Sequence, residues 1–352
     1  MCSRHDPILC IVPPYMLEKM VEKGTKKVRQ AALRTMKQSN HVRLRRELLQ
    51  DQPRPEIESL ASGVEAHSLA KVRRVYDGKN TETLPGWLVR SEGDAPTGDP
   101  AVDEAYDGAG HTWDLYWECY HRNSIDGLGM ILDATVHHGT AYNNAFWNGS
   151  QMVYGDGDGA VFTRFTIDLD IIAHELTHGV TQYTARLRYR FQSGALNESF
   201  SDVFGSLCKQ RVLKQKAKDA DWLIGENVLI GEEYALRSMK APGTAYQNHP
   251  TIGDDPQPAT MDDYLVLDPS EDHGGVHFNS GIPNHAFYLT AVDLGGYAWE
   301  KAGRIWYRTL SKELVGNRDA TFVDAAAATI MAARNEFGAG SIEEKAVEKA
   351  WK

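Results

Sequence analysis

Apolar side chains recur every three or four residues near the start of the chain, a spacing typical of helices that bury one face. The pattern predicts two helices, over residues 15–23 and 26–49, with a break near Gly24. A polar, proline-rich stretch at 50–56 follows and indicates a linker. The buried face is expected to comprise Met16, Leu17 and Met20 in the first helix, and Val28, Ala32 and Leu33 in the second.

The remainder of the chain changes its pattern once. From about residue 66 to 165, short β-type runs alternate with turns rich in Gly and Asp, and from about 166 helical spacing dominates. We therefore expect an α+β protein with three parts: an N-terminal segment over residues 1–55, a β-rich lobe over 56–168 and a mainly helical lobe over 169–352.

Composition places the chain among globular proteins. Its 352 residues suffice for two domains, and 42% hydrophobic with 24% charged residues is ordinary for that class. No apolar run reaches the ~18 residues of a membrane span, and no Sec-type signal peptide is visible before Pro13-Pro14. The four cysteines show no CxxC spacing, so neither a disulfide framework nor a thiolate-held structural zinc site is indicated.

Charge is distributed unevenly along the chain. The first 50 residues hold 11 Lys and Arg against 4 Asp and Glu, whereas the remainder holds 27 against 44. An acidic body argues against nucleic acid as a partner, so the basic segment is expected to dock on that body. We expect a monomer with neither a nucleic-acid nor a membrane partner.

The most informative stretch is DIIAHELTHGVTQYT, residues 170–184. His174 and His178 are four residues apart, so on a helix they share one face and lie about 6 Å apart along the axis. Two imidazoles so placed can bind one zinc ion, and Glu175 beside them can act on a water molecule without being a ligand. By itself this pentapeptide is only suggestive, because two histidines at this spacing also occur on ordinary helices.

A catalytic zinc site needs a third protein ligand and one open position. Thr181 and Thr184 stand where a metzincin has Gly and His, which excludes that class. The stretch GALNESFSDVFG instead offers Glu198, twenty residues after His178, and Asp202 one helical turn later. Alone, Glu198 would be taken for a solvated carboxylate. Coupled to the histidine pair, it is predicted as the third ligand, with Asp202 accepting a hydrogen bond from a ligand histidine.

Six stretches, in order, resemble the thermolysin family of bacterial zinc endopeptidases. The resemblance extends from about Val75 to the C-terminus, and the short N-terminal segment with PPYML resembles that of the protealysin-like group. It implies a two-lobed thermolysin-like fold, with the active-site helix of residues 168–184 between a β-rich and a helical lobe. The stretches are TLPGWL, YNNAFWNGSQMVYGDGDG (142–159), HELTHGVTQYT, GALNESFSD, LRSM (236–239) and GGVHFNSGIPNHAFYL (274–289).

The resemblance also implies a reaction: hydrolysis of peptide bonds by a zinc-activated water molecule, with one catalytic zinc ion held by the three predicted ligands. Glu175 would be the general base and would then deliver the proton to the leaving amine. His277 and Tyr189 would donate hydrogen bonds to the oxyanion, and Asp272 would orient His277. Arg237 would hold a substrate carbonyl. Taken singly, His277 is equally explained as a core histidine and Tyr189 as a packed aromatic residue.

The same resemblance implies how a substrate is held. An extended peptide would pair with the edge strand NNAFW through Asn144, Ala145 and Trp147. A bulky apolar residue on the carboxyl side of the cut bond would enter a pocket. Its lining residues, which would also be ordinary core residues, are Phe162, Phe165, Ile171, Ile224, Val228 and Leu236.

The chain departs from the family at the double calcium site. Its five acidic positions correspond here to Asp170, Lys209, Asp221, Leu223 and Glu226, so two carboxylates are missing. Calcium binding there is therefore doubtful. We expect the ammonium group of Lys209 to lie among Asp170, Asp221 and Glu226, where it neutralises the cluster.

The segment over residues 1–55 is expected to be an inhibitory pro-segment whose stretch from Cys10 to Leu17 lies on or beside the cleft. Pro13-Pro14 requires an extended backbone there. Cys10, or as a second choice Cys2, is a candidate to place its sulfur on the open zinc position, the alternative being an unligated thiol. Cleavage in or after QDQPRPEIESLASG would free the body. For a bacterial chain without a visible Sec signal, export by another route or cytoplasmic retention of the precursor is expected.

Two other functions remain open at this point. A binding protein stabilised by zinc would not need Glu175 beside an open metal position. A zinc aminopeptidase can share the histidine pair and the distal glutamate, but it also needs groups that capture a free amine, and no such signature is evident.

Overall fold

The computed structural model describes the main chain of residues 9–50 and 70–352 and the side chains of residues 10–39 and 70–352. Cys2, most of the predicted linker and most of the predicted cleavage stretch lie outside the described residues. The boundaries of the predicted pro-segment and lobes stay a prediction.

The N-terminal segment contains one short strand and two helices close to the predicted ones. They are β1 (Leu9–Cys10), α1 (Pro14–Lys23) and α2 (Lys26–Gln50). Helix α1 begins at Pro14, where the missing N–H is tolerated because first-turn N–H groups have no partner within a helix. Pro13 is extended, with φ −62° and ψ 147°. The predicted extended backbone is therefore correct at Pro13 and wrong at Pro14, which is already the first residue of the helix.

The predicted buried face of these helices is correct at five of the six positions, and Leu33 is the exception. Leu33 is 49% exposed, because it is turned about 100° around the helix from the buried Ala32. The side of α2 that meets the body continues instead through Thr35 and Ser39. The Thr35 hydroxyl accepts from the Asn143 N–H at 2.9 Å, and the Ser39 hydroxyl lies 3.2 Å from that of Tyr142.

The β-rich part contains five strands and one long helix. These are β2 (Arg73–Asp77), β3 (Trp87–Ser91), α3 (Pro100–Tyr120), β4 (Leu132–Val136), β5 (Ala145–Trp147) and β6 (Met152–Tyr154). Together with β1 they form one sheet in the order β1-β5-β6-β4-β2-β3. The pairs β2–β4 and β4–β6 are parallel, and the others are antiparallel. Strand β5 would therefore be a sheet edge if β1 did not cover it.

The rest of the chain is mainly helical. Its elements are α4 (Leu169–Gln182), α5 (Phe191–Leu213), β7 (Leu223–Ile224), β8 (Arg237–Ser238), α6 (Asp272–Asn279), α7 (Gly281–Leu294), α8 (Ala302–Arg308), α9 (Phe322–Phe337) and α10 (Ile342–Ala350). A 3₁₀ turn spans Met261–Asp263 and a π-helical turn spans Thr309–Glu313. No helix in the described ranges is long and apolar enough to cross a membrane.

Helix α4 lies at the centre of the molecule. All residues from Asp170 to Thr181 are buried, because strand β5, helix α3 and helix α5 pack around it. The approach of α5 is close: a Cβ atom on Gly205 would lie 2.6 Å from the Asp170 carbonyl oxygen. The predicted order, a β-rich part followed by a helical part, is thus confirmed, with the predicted active-site helix between them.

Helix α3 was not predicted, since the surrounding pattern was taken as β-rich throughout. Two of its glycines make close packing possible and also weaken its helical pattern. A Cβ atom on Gly108 would lie 2.5 Å from the Ile172 side chain, and one on Gly110 would lie 2.3 Å from that of Arg73. Tertiary packing therefore outweighs the low helix propensity of glycine here.

One histidine joins the end of β4 to the start of α3. His137 Nδ1 lies 2.9 Å from both carboxylate oxygens of Asp156, and its Nε2 lies 3.0 Å from Asp99 Oδ2. The Asp156 hydrogen bond, opposed by burial and supported by Asp99, raises the pKa of His137 to about 9. The charged imidazole also neutralises Asp99, whose other oxygen caps α3 at the Ala101 N–H.

We expect His137→Gln to destabilise the protein below neutral pH and to have little effect near pH 10. The pKa of His137 is raised on folding, so its contribution is complete below about 6.5 and is lost as pH rises through about 9. On the order of 1 kcal/mol is expected after allowing for solvent screening. Melting temperatures of both forms between pH 6 and pH 10 measure it. A difference that does not change with pH would contradict this role.

Candidate active site

Three buried side chains of α4 and α5 converge as a metal-binding set. His174 Nε2 and His178 Nε2 lie 3.1 Å apart, and Glu198 oxygens lie 3.5 and 3.3 Å from them, respectively. Ligand atoms at 2.0–2.2 Å from one tetrahedral zinc ion lie roughly 3.3–3.6 Å apart. The residues present therefore fit a zinc ion, and they form the one such group among the described His, Cys, Asp and Glu residues.

The outer nitrogens of both histidines are held by acceptors. His174 Nδ1 lies 2.8 Å from Asp202 Oδ1, and His178 Nδ1 lies 2.9 Å from Asn197 Oδ1. If each Nδ1–H donates to its acceptor, both Nε2 lone pairs point toward Glu198. Asp202 was expected to accept from a ligand histidine, and it lies in that position.

The set has an excess of negative charge. Burial lowers the pKa of His174, but Asp202 and Glu198 outweigh it and raise that pKa to about 9. For Glu198, burial raises the pKa, while His277 and His178 hold it well below its usual range. A pocket that holds a proton this strongly between buried carboxylates is suited to a divalent cation.

Glu175 lies on α4 next to this set and is fully buried. Its Oε2 accepts from the Trp147 N–H of strand β5 at 3.0 Å, while its Oε1 is buried without a hydrogen-bond partner. Burial raises the pKa of Glu175 to about 8. One oxygen is thus anchored, and the other is available to a reacting molecule.

His277 and Tyr189 are 88 residues apart in the chain and come together beside Glu198. The Tyr189 hydroxyl lies 3.0 Å from His277 Nε2 and donates to Glu198. His277 Nδ1 lies 2.5 Å from Asp272 Oδ1, and the His277 N–H donates to Asp272 Oδ2 at 2.8 Å. Burial lowers the pKa of His277, but Asp272 and Glu198 raise it overall. The imidazole can therefore donate from both nitrogens.

A run of left-handed residues brings Asp272 against His277. The φ angles of Asp272, His273, Gly274 and Gly275 are 47°, 55°, 82° and 83°. Non-glycine residues rarely adopt this region, so the first two are strained. A Cβ atom on Gly274 would lie 2.3 Å from the Phe191 ring, and glycine is therefore required at that position.

Asp202 connects the metal set to Arg237. Arg237 donates to both Asp202 oxygens at 2.8 Å, and Asn284 donates to Oδ2 at 2.8 Å. Burial raises the pKa of Asp202, but Arg237 and His174 lower it to about 2. Arg237 is 1% exposed, so this carboxylate provides its buried counter-charge.

The extended chain before α1 occupies the space between these groups. His277 Nε2 donates to the Cys10 carbonyl at 2.9 Å, and Arg237 donates to the Ile11 carbonyl at 3.1 Å. The Ile11 N–H donates to the Ala145 carbonyl at 3.3 Å. Asn144 accepts from the Val12 N–H at 3.0 Å and donates to its carbonyl at 3.3 Å. The segment from Cys10 is thus held at the site, as expected.

The structure places the Cys10 carbonyl, rather than its thiol, toward the catalytic groups. Cys10 pairs with Phe146 in the β1–β5 ladder, and its side chain packs with Tyr142, Phe146 and Val153. Neighbouring strand residues alternate between faces, and Trp147 faces α4, where it approaches Gly179. Cys10 is therefore not part of the metal-binding group, and the proposed sulfur–zinc contact is not formed.

The predicted apolar pocket residues belong to the main buried core of the molecule. Ile11 is fully buried and belongs to the same apolar cluster. The ring centroids of Phe162 and Phe165 lie 5.6 Å apart. The Leu236 N–H donates to the Ile224 carbonyl at 2.9 Å. All six are fully buried: Phe162, Phe165, Ile171, Ile224, Val228 and Leu236.

Lys209 occupies the place expected for it, with one change of partner. Its Nζ lies 3.0 Å from Asp170 Oδ2 and 3.0 Å from Asp221 Oδ1. The third partner is the Leu223 carbonyl at 2.8 Å. Glu226, which was expected there, is exposed, so the prediction is wrong for this residue. Burial lowers the pKa of Lys209, but Asp170 and Asp221 raise it overall.

Two site residues were not predicted from the sequence. Asn197 precedes Glu198 and accepts from His178, while Asn284 supports Asp202 from α7. The signal for Asn284 is a polar residue near the start of a mainly apolar helical stretch. For Asn197 it is only adjacency to a ligand, which by itself does not distinguish it from other asparagines.

The chain matches models of the thermolysin metallopeptidase family. The catalytic-domain model matches residues 49–182, and the alpha-helical-domain model matches residues 185–352. An extracellular metalloprotease of Pectobacterium carotovorum subsp. carotovorum is 49% identical over 319 residues, covering 90% of this chain and 88% of that protein. Protease PrtS of a Photorhabdus species (strain Az29) is 47% identical over 345 residues, covering 97% and 90%.

A solved structure gives the same picture. The precursor of protealysin, a metalloproteinase from Serratia proteamaculans, superposes with a TM-score of 0.85 at 48% identity, covering 97% of this chain and 98% of that one. The chain therefore belongs to the thermolysin metallopeptidase family and is a zinc metalloendopeptidase. The predicted family, its protealysin-like group and the two-lobed fold are confirmed.

Proposed function

We propose that this chain is a zinc-dependent neutral endopeptidase, made as a latent precursor, that cuts peptide bonds before bulky apolar residues. The observation that carries this proposal is the extended main chain of Cys10 to Val12, held beside the metal-binding set. Its carbonyls accept from His277 and Arg237, and it pairs with strand β5. A substrate peptide would take the place of this segment.

Each catalytic side chain has a role that its contacts support. A zinc ion bound by His174, His178 and Glu198 supplies Lewis acidity and an acidified water molecule. Glu175 takes a proton with its unpaired Oε1 and passes it to the leaving nitrogen, while Trp147 holds its other oxygen. His277 and Tyr189 then stabilise the negative charge on the former carbonyl oxygen.

Asp272, Arg237 and Asn144 position these partners. Asp272 keeps His277 oriented and charged through two hydrogen bonds. Arg237 and Asn144 hold the main chain on the carboxyl side of the reacting carbonyl. This division of roles follows the family resemblance, residue by residue.

An endopeptidase is favoured over an aminopeptidase, because the bound segment extends on both sides of the carbonyl that His277 holds. Leu9 pairs with Trp147, so the segment continues in both directions from the carbonyl on His277. An aminopeptidase would instead close the site around a free amine. A zinc-stabilised binding protein would have no use for the unpaired Glu175 oxygen.

Latency is supported by the same contacts. While residues 1–55 remain attached, β1 covers strand β5 and the Ile11 side chain is fully buried. The α1 face of Met16, Leu17 and Met20 is buried as well, which stabilises the docked segment. We propose that cleavage in the linker, in or after QDQPRPEIESLASG, frees the body. Because the relative from Pectobacterium is an extracellular metalloprotease, we propose that the enzyme acts outside the cell.

We expect the processed enzyme to cut doubly blocked peptides before Leu, Ile or Phe about 10- to 100-fold faster than before Asp. Burial of one such side chain contributes roughly 1.5–3 kcal/mol. The peptides should differ only at that residue, and kcat/KM is measured before and after processing of the precursor. Cleavage mainly before charged residues would refute the specificity, and removal of N-terminal residues alone would indicate an aminopeptidase. Hydrolysis by uncut precursor at the processed rate would refute latency.

We propose that Lys209 replaces calcium at the family's double site, so that calcium has little effect on stability. Thermal melts of the metal-free chain with and without added calcium should coincide, because the Lys209 ammonium already neutralises Asp170 and Asp221. Lys209→Ala should destabilise the protein by about 3 kcal/mol, since it leaves buried charge unpaired. The exposed Lys216→Ala is the matched control. A large calcium-dependent shift in the unmodified protein would contradict the proposal.

A further inference from the structure

We propose that the Cys10–Ile11 peptide bond is itself a processing site, cut by the active site of the same molecule before the linker is cut. The precursor would lose residues 1–10 and remain latent with Ile11 as its new N-terminus. This inference rests on the proposed function, because it uses the same catalytic groups.

The direction and register of the segment are those of a substrate strand. Strand β1 runs antiparallel to β5, with Cys10 opposite Phe146 and Leu9 opposite Trp147. The Trp147 N–H donates to Glu175 Oε2. Glu175, the proposed general base, is therefore anchored to Trp147, the β5 residue that pairs with Leu9.

The two carbonyls around the bond are held by different partners, and those partners identify which bond is presented. The Cys10 carbonyl is bound by His277, beside Tyr189, which is the pair that stabilises negative charge in the proposed reaction. The next carbonyl, that of Ile11, is bound by Arg237. The reacting carbonyl is therefore that of Cys10, and Ile11 provides the leaving nitrogen.

Side-chain placement agrees with this assignment. Ile11 follows the bond and is fully buried in the main apolar core, as expected for an apolar residue after a cut bond. The Cys10 side chain packs on the opposite face with Phe146 and Val153. Its thiol is thus directed away from the metal-binding set, and only its carbonyl is presented.

Cleavage at this bond would leave the segment docked. On its carboxyl side, Val12 keeps both hydrogen bonds to Asn144, and Ile11 keeps Arg237. Helices α1 and α2 continue to bury Met16, Leu17, Met20 and Val28. The shortened precursor therefore stays latent until the linker is cut.

The step consumes one water molecule. Its oxygen bonds to the Cys10 carbonyl carbon, and the bond from that carbon to the Ile11 nitrogen breaks. Glu175 carries one proton of the water to the Ile11 nitrogen, which leaves as an amine, and the new carboxyl group ends the released decapeptide. No oxidant or other reactant is required.

The test uses the full chain, purified without metal and then given Zn²⁺, with intact mass and N-terminal sequence followed over time. We expect loss of residues 1–10 and a new N-terminus at Ile11, at a rate that does not change over a 100-fold dilution. Glu175→Gln precursor should keep residues 1–10. When mixed with active chain, that variant should stay uncut at this bond, since the bond is held in its own cleft.

Two results would overturn the inference while leaving the proposed function intact. One is retention of residues 1–10 in a preparation that, after linker cleavage, hydrolyses the blocked peptides. The other is concentration-dependent cutting of the Glu175→Gln chain in the mixture, which would show cleavage between molecules. Absence of both self-cleavage and peptide hydrolysis would refute the proposed function as well.

A measurement on the metal-free chain tests the register without catalysis. Hydrogen exchange at the Ile11 and Val12 amides, which donate to Ala145 and Asn144, should accelerate at least ~10-fold in Ile11→Asp, because a charged side chain cannot remain buried among apolar residues. Leu33→Asp, on an exposed position of α2, should leave it unchanged. Unchanged exchange in Ile11→Asp would contradict the placement of Ile11 after the cut bond.

Discussion

Replacing Glu175 by Gln is expected to lower kcat of the processed enzyme on a blocked peptide by about 10³-fold or more, with zinc content unchanged. Glutamine is nearly isosteric and can still accept from the Trp147 N–H, but it cannot take a proton from water. Glu175 is not one of the three residues whose atoms form the metal-binding set. The loss should therefore appear in the chemical step and leave metal binding intact.

The matched control is Glu343→Gln, since Glu343 is also buried but pairs with Lys301 in the C-terminal part of the molecule. Its kcat should stay within about twofold of the unmodified enzyme. Zinc is quantified in each preparation by atomic absorption. Activity of Glu175→Gln within tenfold of the original, at equal zinc content, would remove Glu175 from the role of general base.

Replacing Asp202 by Asn is expected to weaken both folding and metal binding. The carboxylate pairs with Arg237, accepts from His174 Nδ1 and accepts from Asn284. An amide in its place leaves the Arg237 guanidinium buried without a counter-charge, which costs about 3–5 kcal/mol. Loss of the carboxylate that orients His174 should weaken zinc affinity about 10- to 100-fold.

Unfolding by urea is measured in the presence of chelator, so that lost metal binding does not add to the loss of stability. Zinc affinity is measured separately by competition with a chromogenic chelator. Asn284→Ala is the matched control: it removes a neutral donor to the same carboxylate and should cost only ~1 kcal/mol. Equal stability and equal zinc affinity of Asp202→Asn and the unmodified chain would show that the carboxylate is dispensable.

The metal ligands were predictable because their geometry is mostly local. Residues four apart on a helix share one face, so the pairing of His174 with His178 could be predicted without tertiary information. Glu198 and Asp202 likewise share a face of α5. The packing of α4 on α5 was not visible in the spacing, but it follows from two apolar helices in one core. Helix α3 shows the limit, because its two glycines are explained only by Ile172 and Arg73 across the contact.

The class of this protein, a zinc metallopeptidase, follows from features visible along the chain: a helical histidine pair, a distal glutamate and a basic segment ahead of an acidic body. Tertiary structure alone decided that the carbonyl of Cys10, and not its sulfur, faces His277. Strand register sets which face a side chain takes, and a shift by one residue would reverse it. The tertiary structure also decided that the Leu223 carbonyl, and not Glu226, is the third partner of Lys209. Both outcomes depend on contacts between residues far apart in the chain, and local spacing does not specify such contacts.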